Sequence, residues 1–145
     1  MQYRCYANKR RKDKRRKEKK GRKASLYSLA HHLNRFEPSD ITFKQLDKDY
    51  ISGITFSGGD PFDKRNISEV TKLIHNIKTE FPTKTVWIYT GYSYEYLYDD
   101  YYHALVNVDV LVDGKFVQEL ADVNYHWAGS TNQRVIDVQE PLKEN

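Results

Sequence analysis

Ile54-Thr55-Phe56-Ser57-Gly58-Gly59-Asp60-Pro61-Phe62 is the stretch from which the rest of the chain is read. Ile54 and Phe56 alternate with polar residues, as in a strand with one face on a core, and Tyr50 and Ile51 extend the apolar run. Gly58 and Gly59 then remove two side chains in succession, so the backbone can take positive φ and a ligand can approach bare N–H and C=O groups. Asp60-Pro61 ends the turn, because Pro presets φ for the first residue of a helical segment. In an open α/β sheet, ligands sit outside the carboxyl ends of strands, which is where such a turn lies. Taken alone, these residues also read as a two-glycine loop with no ligand; their surroundings change that reading.

Downstream, Asn66 and Glu69 stand at the spacing of a capping-box variant. Ile67, Val70, Leu73, Ile74 and Ile77 make one apolar helical stripe, and Phe81-Pro82 closes it. A second strand is expected over residues 85–89, ending at Thr90-Gly91-Tyr92. Residues 93–105 carry Tyr94, Tyr96, Tyr98, Tyr101 and Tyr102. They read as a helix with a half-buried tyrosine face rather than a stacking platform for bases. A third strand over 108–112 ends at Asp113-Gly114. The order βαβαβ implies a parallel sheet with right-handed crossovers. Its three small-plus-polar strand ends then share one edge, and that makes a ligand site. The polar loop 127–134 feeds a short strand at 135–138. It is either a surface loop or a further wall of the site, supplied by Asn132, Gln133 and Arg134.

Upstream, Leu26, Leu29, Ala30, Leu33 and Phe36 recur at helical spacing, Glu37-Pro38-Ser39-Asp40 breaks that helix, and 41–49 suits a short helix. Residues 1–23 hold 13 of the 24 Lys and Arg but 2 of the 20 acidic residues, so a head of +11 precedes a body of −7. A run as charged as 9–23 has too little apolar surface to offset its ordering entropy, and disorder is expected. It reads as a solvated tail rather than a nucleic-acid contact, because it lacks interleaved aromatics and the acidic body repels phosphates. The domain reading is therefore a basic head, 1–23, and a single α/β domain, 24–145. One cysteine excludes an internal disulfide framework, and there is neither a bilayer-length apolar run nor a secretory signal pattern. A cytoplasmic protein with no membrane partner is expected.

Four blocks carry a resemblance that spans residues 48–140. They are Tyr50-Ile51-Ser52-Gly53 leading into Ser57-Gly58-Gly59-Asp60-Pro61, then residues 86–92, residues 108–116 and residues 129–138. In this order and spacing the chain resembles the activating component of the anaerobic (class III) ribonucleotide reductase, a small radical S-adenosylmethionine (SAM) protein. The resemblance implies a partial (βα) barrel-like parallel sheet of the radical SAM type, here lacking the family's first strand. It implies that Gly58, Gly59 and Asp60 hold the amino group of SAM, with Thr90 and Asp113 near its carboxylate and ribose edge. It also implies a [4Fe–4S] cluster on Cys-x3-Cys-x2-Cys and a glycyl radical raised on the catalytic subunit of the reductase. The chain departs from that pattern, because Cys5 is its one cysteine and no register of the motif on Cys5 supplies a second. The expectation is a member of this lineage whose SAM half-site survives and whose cluster half-site does not, Cys5 being the sole candidate metal ligand. The alternatives are a non-enzymatic partner that docks on the reductase, and a nucleic-acid-binding protein using the basic head.

Overall fold

The computed structural model describes residues 2–7 and 38–140. Along them run β1 (Gln2–Ala7), α1 (Pro38–Leu46), β2 (Ile51–Ser57), α2 (Ile67–Glu80), β3 (Thr85–Tyr89), α3 (Tyr94–Leu105), β4 (Val110–Asp113), a 3₁₀ turn (Gln118–Leu120) and β5 (Arg134–Asp137). The alternation read in the sequence sorts the faces of the sheet. Val86 and Ile88 of β3 are buried in one cluster with Ile54 and Phe56 of β2, Val70, Ile74 and Ile77 of α2, and Leu97 and Leu105 of α3. Trp87 and Tyr89, which point to the other face, are half-buried. Each fully buried side chain of this kind contributes roughly 1.5–3 kcal/mol relative to exposure, so the cluster is what fixes strand register.

The five strands lie in the order β1-β2-β3-β4-β5. The β2–β3 and β3–β4 pairs are parallel, with Ile54 opposite Val86 and Ile88 opposite Leu111. The α/β class and the βαβαβ centre thus stand as expected, but the sheet is mixed: β1 and β5 are antiparallel edges. The strand β1 takes Gln2–Ala7 out of the basic head of 1–23 and onto the sheet edge, since Gln2 pairs with Ser57 and Cys5 with Ile54. The rest of that head and the helix expected over 24–36 lie outside the described residues.

Three element ends differ from expectation for local reasons. Pro38 opens α1, three residues ahead of the short helix expected over 41–49, because the first helical position has no use for the N–H that Pro lacks. The strand β4 starts two residues late because the Val108 N–H is taken by Leu105 O at 2.9 Å. The next residue, Asp109, works through its carboxylate, which accepts from the Val86 N–H at 2.7 Å and from Lys78 Nζ at 2.8 Å. The strand β5 ends at Asp137, beyond which the Val138 N–H donates to Asp109 O at 2.9 Å. At the same amino edge, buried Lys84 donates from Nζ to Lys48 O at 3.1 Å and to Ile51 O. The tyrosine helix is as expected: Tyr94, Tyr98 and Tyr101 pack against the core while Tyr96 and Tyr102 are exposed. It is kinked at Tyr101 (φ −138°, ψ 35°). No helix of the described residues is long and apolar enough to cross a membrane.

Candidate functional site

The ends of β2, β3 and β4 meet on one edge, and the turn after β2 organises it. Gly58 (φ 72°), Gly59 (φ 61°) and Asp60 (φ 21°) follow one another in left-handed backbone. That region costs glycine little and is tolerated by Asp better than by most residues. The Asp60 carboxylate ties two strand ends together. Its Oδ1 accepts from the Phe62 N–H at 3.0 Å and the Thr90 hydroxyl at 2.8 Å, and its Oδ2 accepts from the Gly91 N–H at 2.8 Å. Thr90 is buried and its Oγ1 also accepts from the Tyr92 N–H at 3.2 Å. A Cβ on Gly91 would stand 3.4 Å from Asp60 Oδ2, an ordinary contact, and 3.2 Å from Lys115 Cγ, which would have to shift by a few tenths of an ångström.

Behind the turn, Asn66 does something other than the capping its spacing predicts. It makes no side-chain cap bond. Its Nδ2 instead donates to Gly59 O at 2.7 Å and to Asp60 O at 3.0 Å.

Asp113, at the end of β4, is 2 % exposed. Its carboxylate accepts from the Tyr94 N–H at 2.8 Å, from Arg134 Nε at 3.0 Å and from Arg134 Nη2. One carboxylate thereby starts α3 and anchors β5. The outer half of the Arg134 guanidinium grips Glu95 with two bonds of 2.9 Å. The hydrogen bonds from Arg134 hold the Glu95 carboxyl down to about 2, and Asp113 first, then Glu95, raise the Arg134 pKa further.

A solvent-open cleft of about 200 Å³ lies on this edge. Gly58 and Asp60 line it from the turn after β2, Tyr89, Thr90 and Gly91 from the end of β3, and Gly114 and Phe116 from beyond β4; Gln133 closes it from the loop before β5. Of the residues singled out in the sequence, Gly58, Asp60 and Thr90 therefore come together at the cleft. Gly59 and Asp113 are not among its lining residues. Of the three loop residues, Gln133 is a wall. Its Oε1 accepts from the Gly129 and Ser130 N–H groups at 2.9 and 3.1 Å, and its Nε2 donates to Gly114 O at 2.9 Å. Asn132 holds Lys115 O at 2.8 Å instead, and Arg134 serves the Asp113 pair.

Gly91 and Gly114 belong to the strand ends read from the sequence as a ligand site, whereas Tyr89 and Phe116 were not picked out. Their signal was position: the last residue of a strand, or the first few beyond it. Tyr89 donates from its hydroxyl to Trp127 O at 2.7 Å, and partial burial pushes its phenol up. Phe116 is half-exposed, and its ring occupies the space a Cβ on Gly129 would need, 3.0 Å away. The cleft thus offers a carboxylate, a hydroxyl and bare backbone beside two aromatic walls. That combination suits a cationic amino group attached to a less polar body. Small-molecule pockets commonly enclose roughly 300–1,000 Å³, so this cleft has room for one end of such a ligand and not for the whole of it.

The sequence has known counterparts. The chain belongs to the family described as the 4Fe-4S single cluster domain, whose model matches residues 4–136. Within that class it is similar to proteins named anaerobic ribonucleoside-triphosphate reductase-activating protein. The one from Vibrio cholerae serotype O1 is 48% identical over 81 residues, 56% of this chain and 52% of the relative. That of Escherichia coli strain K12 is 43% identical over 83 residues, covering 57% and 54%. That of Enterobacteria phage T4 is 40% identical over 90 residues, covering 62% and 56%. The chain spans about half the length of the curated relatives it matches. No solved structure matches it.

Membership raises the question of the cluster. Four-iron clusters are held by several cysteine thiolates. This chain has one, Cys5, which stands in β1 opposite Ile54. Among the described residues no group of three His, Cys, Asp or Glu is placed to hold a metal ion. The residues of this chain do not by themselves fit a [4Fe–4S] cluster.

Proposed function

We propose that this chain serves the activation of the anaerobic ribonucleotide reductase, binding SAM in the cleft and docking on the catalytic subunit of that enzyme. The observation that carries the reading is the left-handed Gly58-Gly59-Asp60 turn, with its carboxylate on the wall of a cleft at the carboxyl ends of three parallel strands. The names of the relatives support the partner. In this reading Gly58 and Gly59 let the ligand's ammonium reach the backbone. Asp60 receives it: a carboxylate has about four lone-pair sites, and three are used within the protein. Thr90 keeps that carboxylate aimed, and Phe116 and Tyr89 offer apolar surface to the rest of the ligand. Asp113 acts from behind, ordering Gly114 and α3 through Arg134 and Tyr94. When bound, SAM would supply a sulfonium whose carbon–sulfur bond breaks on one-electron reduction, leaving methionine and a carbon radical, with the electron coming from a low-potential donor other than this chain's own residues. The partial barrel of the radical SAM type and a cytoplasmic location belong to the same reading, and the parallel β2–β3–β4 unit is consistent with that fold.

The lone cysteine favours a second form of the proposal, in which the chain docks on the reductase without acting as the radical-generating enzyme. SAM binding is common ground. Titration calorimetry of SAM and of S-adenosylhomocysteine into the full chain should show weak binding, about tenfold or more weaker in Asp60→Asn. Such a loss matches a charge-assisted hydrogen bond of roughly 1.5–3 kcal/mol. A thermal melt confirms that the variant is folded, because Asp60 also joins two strand ends. No binding to the unmutated chain, or equal binding to both, sinks the reading.

A further inference from the structure

Asn66 occupies the capping position of α2, yet its side chain makes no cap bond and turns back to the glycine turn. We propose that Asn66 is the positioning residue of the ligand turn. Its amide nitrogen holds the carbonyls of Gly59 and Asp60 from the helix side, and so keeps Gly58 and the Asp60 carboxylate on the cleft. The identity of the ligand rests on the SAM reading; the clamp itself rests on the hydrogen-bond geometry.

The physical need is plain. Two adjacent glycines can adopt many conformations, so an unheld turn would wander. The Asp60 carboxylate meets both the Thr90 hydroxyl and the Gly91 N–H only while its own backbone stays in the left-handed region, at φ 21°. A primary amide suits the task, since one nitrogen carries two N–H donors and the targets are two carbonyls. Aspartate at the same position would cap a helix as well as asparagine does, but it has no donor to offer. Capping and clamping therefore predict opposite outcomes for one substitution.

The test compares the full chain with Asn66→Asp and Asn66→Ala by two measurements. Amide hydrogen exchange is followed at Gly91 and Phe62, whose N–H groups donate to Asp60, with Ile88 in the middle of β3 as the check on the global fold. SAM affinity is followed by calorimetry. In both variants exchange at Gly91 and Phe62 should rise about tenfold or more with Ile88 unchanged, and SAM affinity should fall about tenfold or more. An Asn66→Asp chain that matches the unmutated one in both measurements overturns the clamp. If the unmutated chain binds no SAM, the ligand reading fails and exchange alone decides: faster exchange sustains the clamp, unchanged exchange overturns it. Should Asn66→Asp unfold, Asn66→Ser, which caps but brings only one donor, takes its place under the same criteria.

Discussion

Arg134 shows how much one residue can settle. Its guanidinium joins buried Asp113 to exposed Glu95, so Arg134→Met leaves a buried carboxylate with the Tyr94 N–H as its remaining described donor. The arginine side of the pair is half-exposed, so the cost is that of a buried carboxylate losing its main donors, and urea unfolding at pH 7 should show a loss of about 1–3 kcal/mol. The acid limb gives a second readout. Glu95 has a folded pKa of about 2 against an ordinary 4.5, so below 4.5 the unfolded chain binds the extra proton. The contribution of Glu95 is thus complete above 4.5 and is lost as pH falls towards 2. In Arg134→Met that part of the pH dependence should vanish. The same residue explains a limit on reading the site from sequence. Asp60 and Asp113 give one signal, an acidic residue at a strand end beside glycine. Arg134, 21 positions further on, and the Tyr94 N–H send Asp113 into the scaffold while Asp60 remains on the cleft.

At the level of elements, legibility followed periodicity. The elements β2, α2, β3 and α3 fall where the alternation and the helical stripe put them, because their burial pattern is their sequence pattern. Periodicity is blind to side chains that take over backbone roles, so Asp109 displaced the start of β4, and Asn66 went to the turn instead of the cap. The strand β1 was hidden by averaging, since Gln2–Ala7 was read with the basic run that follows it. Its pairing carries a prediction. Deleting residues 1–7 strips β2 of its antiparallel partner along most of its length and bares a row of N–H and C=O groups. The truncated chain should melt at lower temperature and associate as its concentration rises, by light scattering. An unchanged melt with a monodisperse monomer would count against β1 as a working edge.

For the molecule as a whole, family and donor set disagree in a way that can be weighed on a balance. The family model spans residues 4–136, and the sequence holds one thiol. Anaerobic reconstitution with iron and sulfide should leave well under four irons per chain and no broad visible absorbance of a four-iron cluster. Near-stoichiometric cluster iron would restore the radical-generating form of the proposal against the docking form. The opposite edge of the sheet has its own consequence. The Lys84 amine is engaged with two main-chain carbonyls beneath the amino ends of the strands. An acylating reagent meets it only after that edge has parted, whatever the reagent does to amines at the surface. The rate of Lys84 acylation is in effect a clock that ticks with the opening of the sheet, running at the far end of the molecule from the cleft.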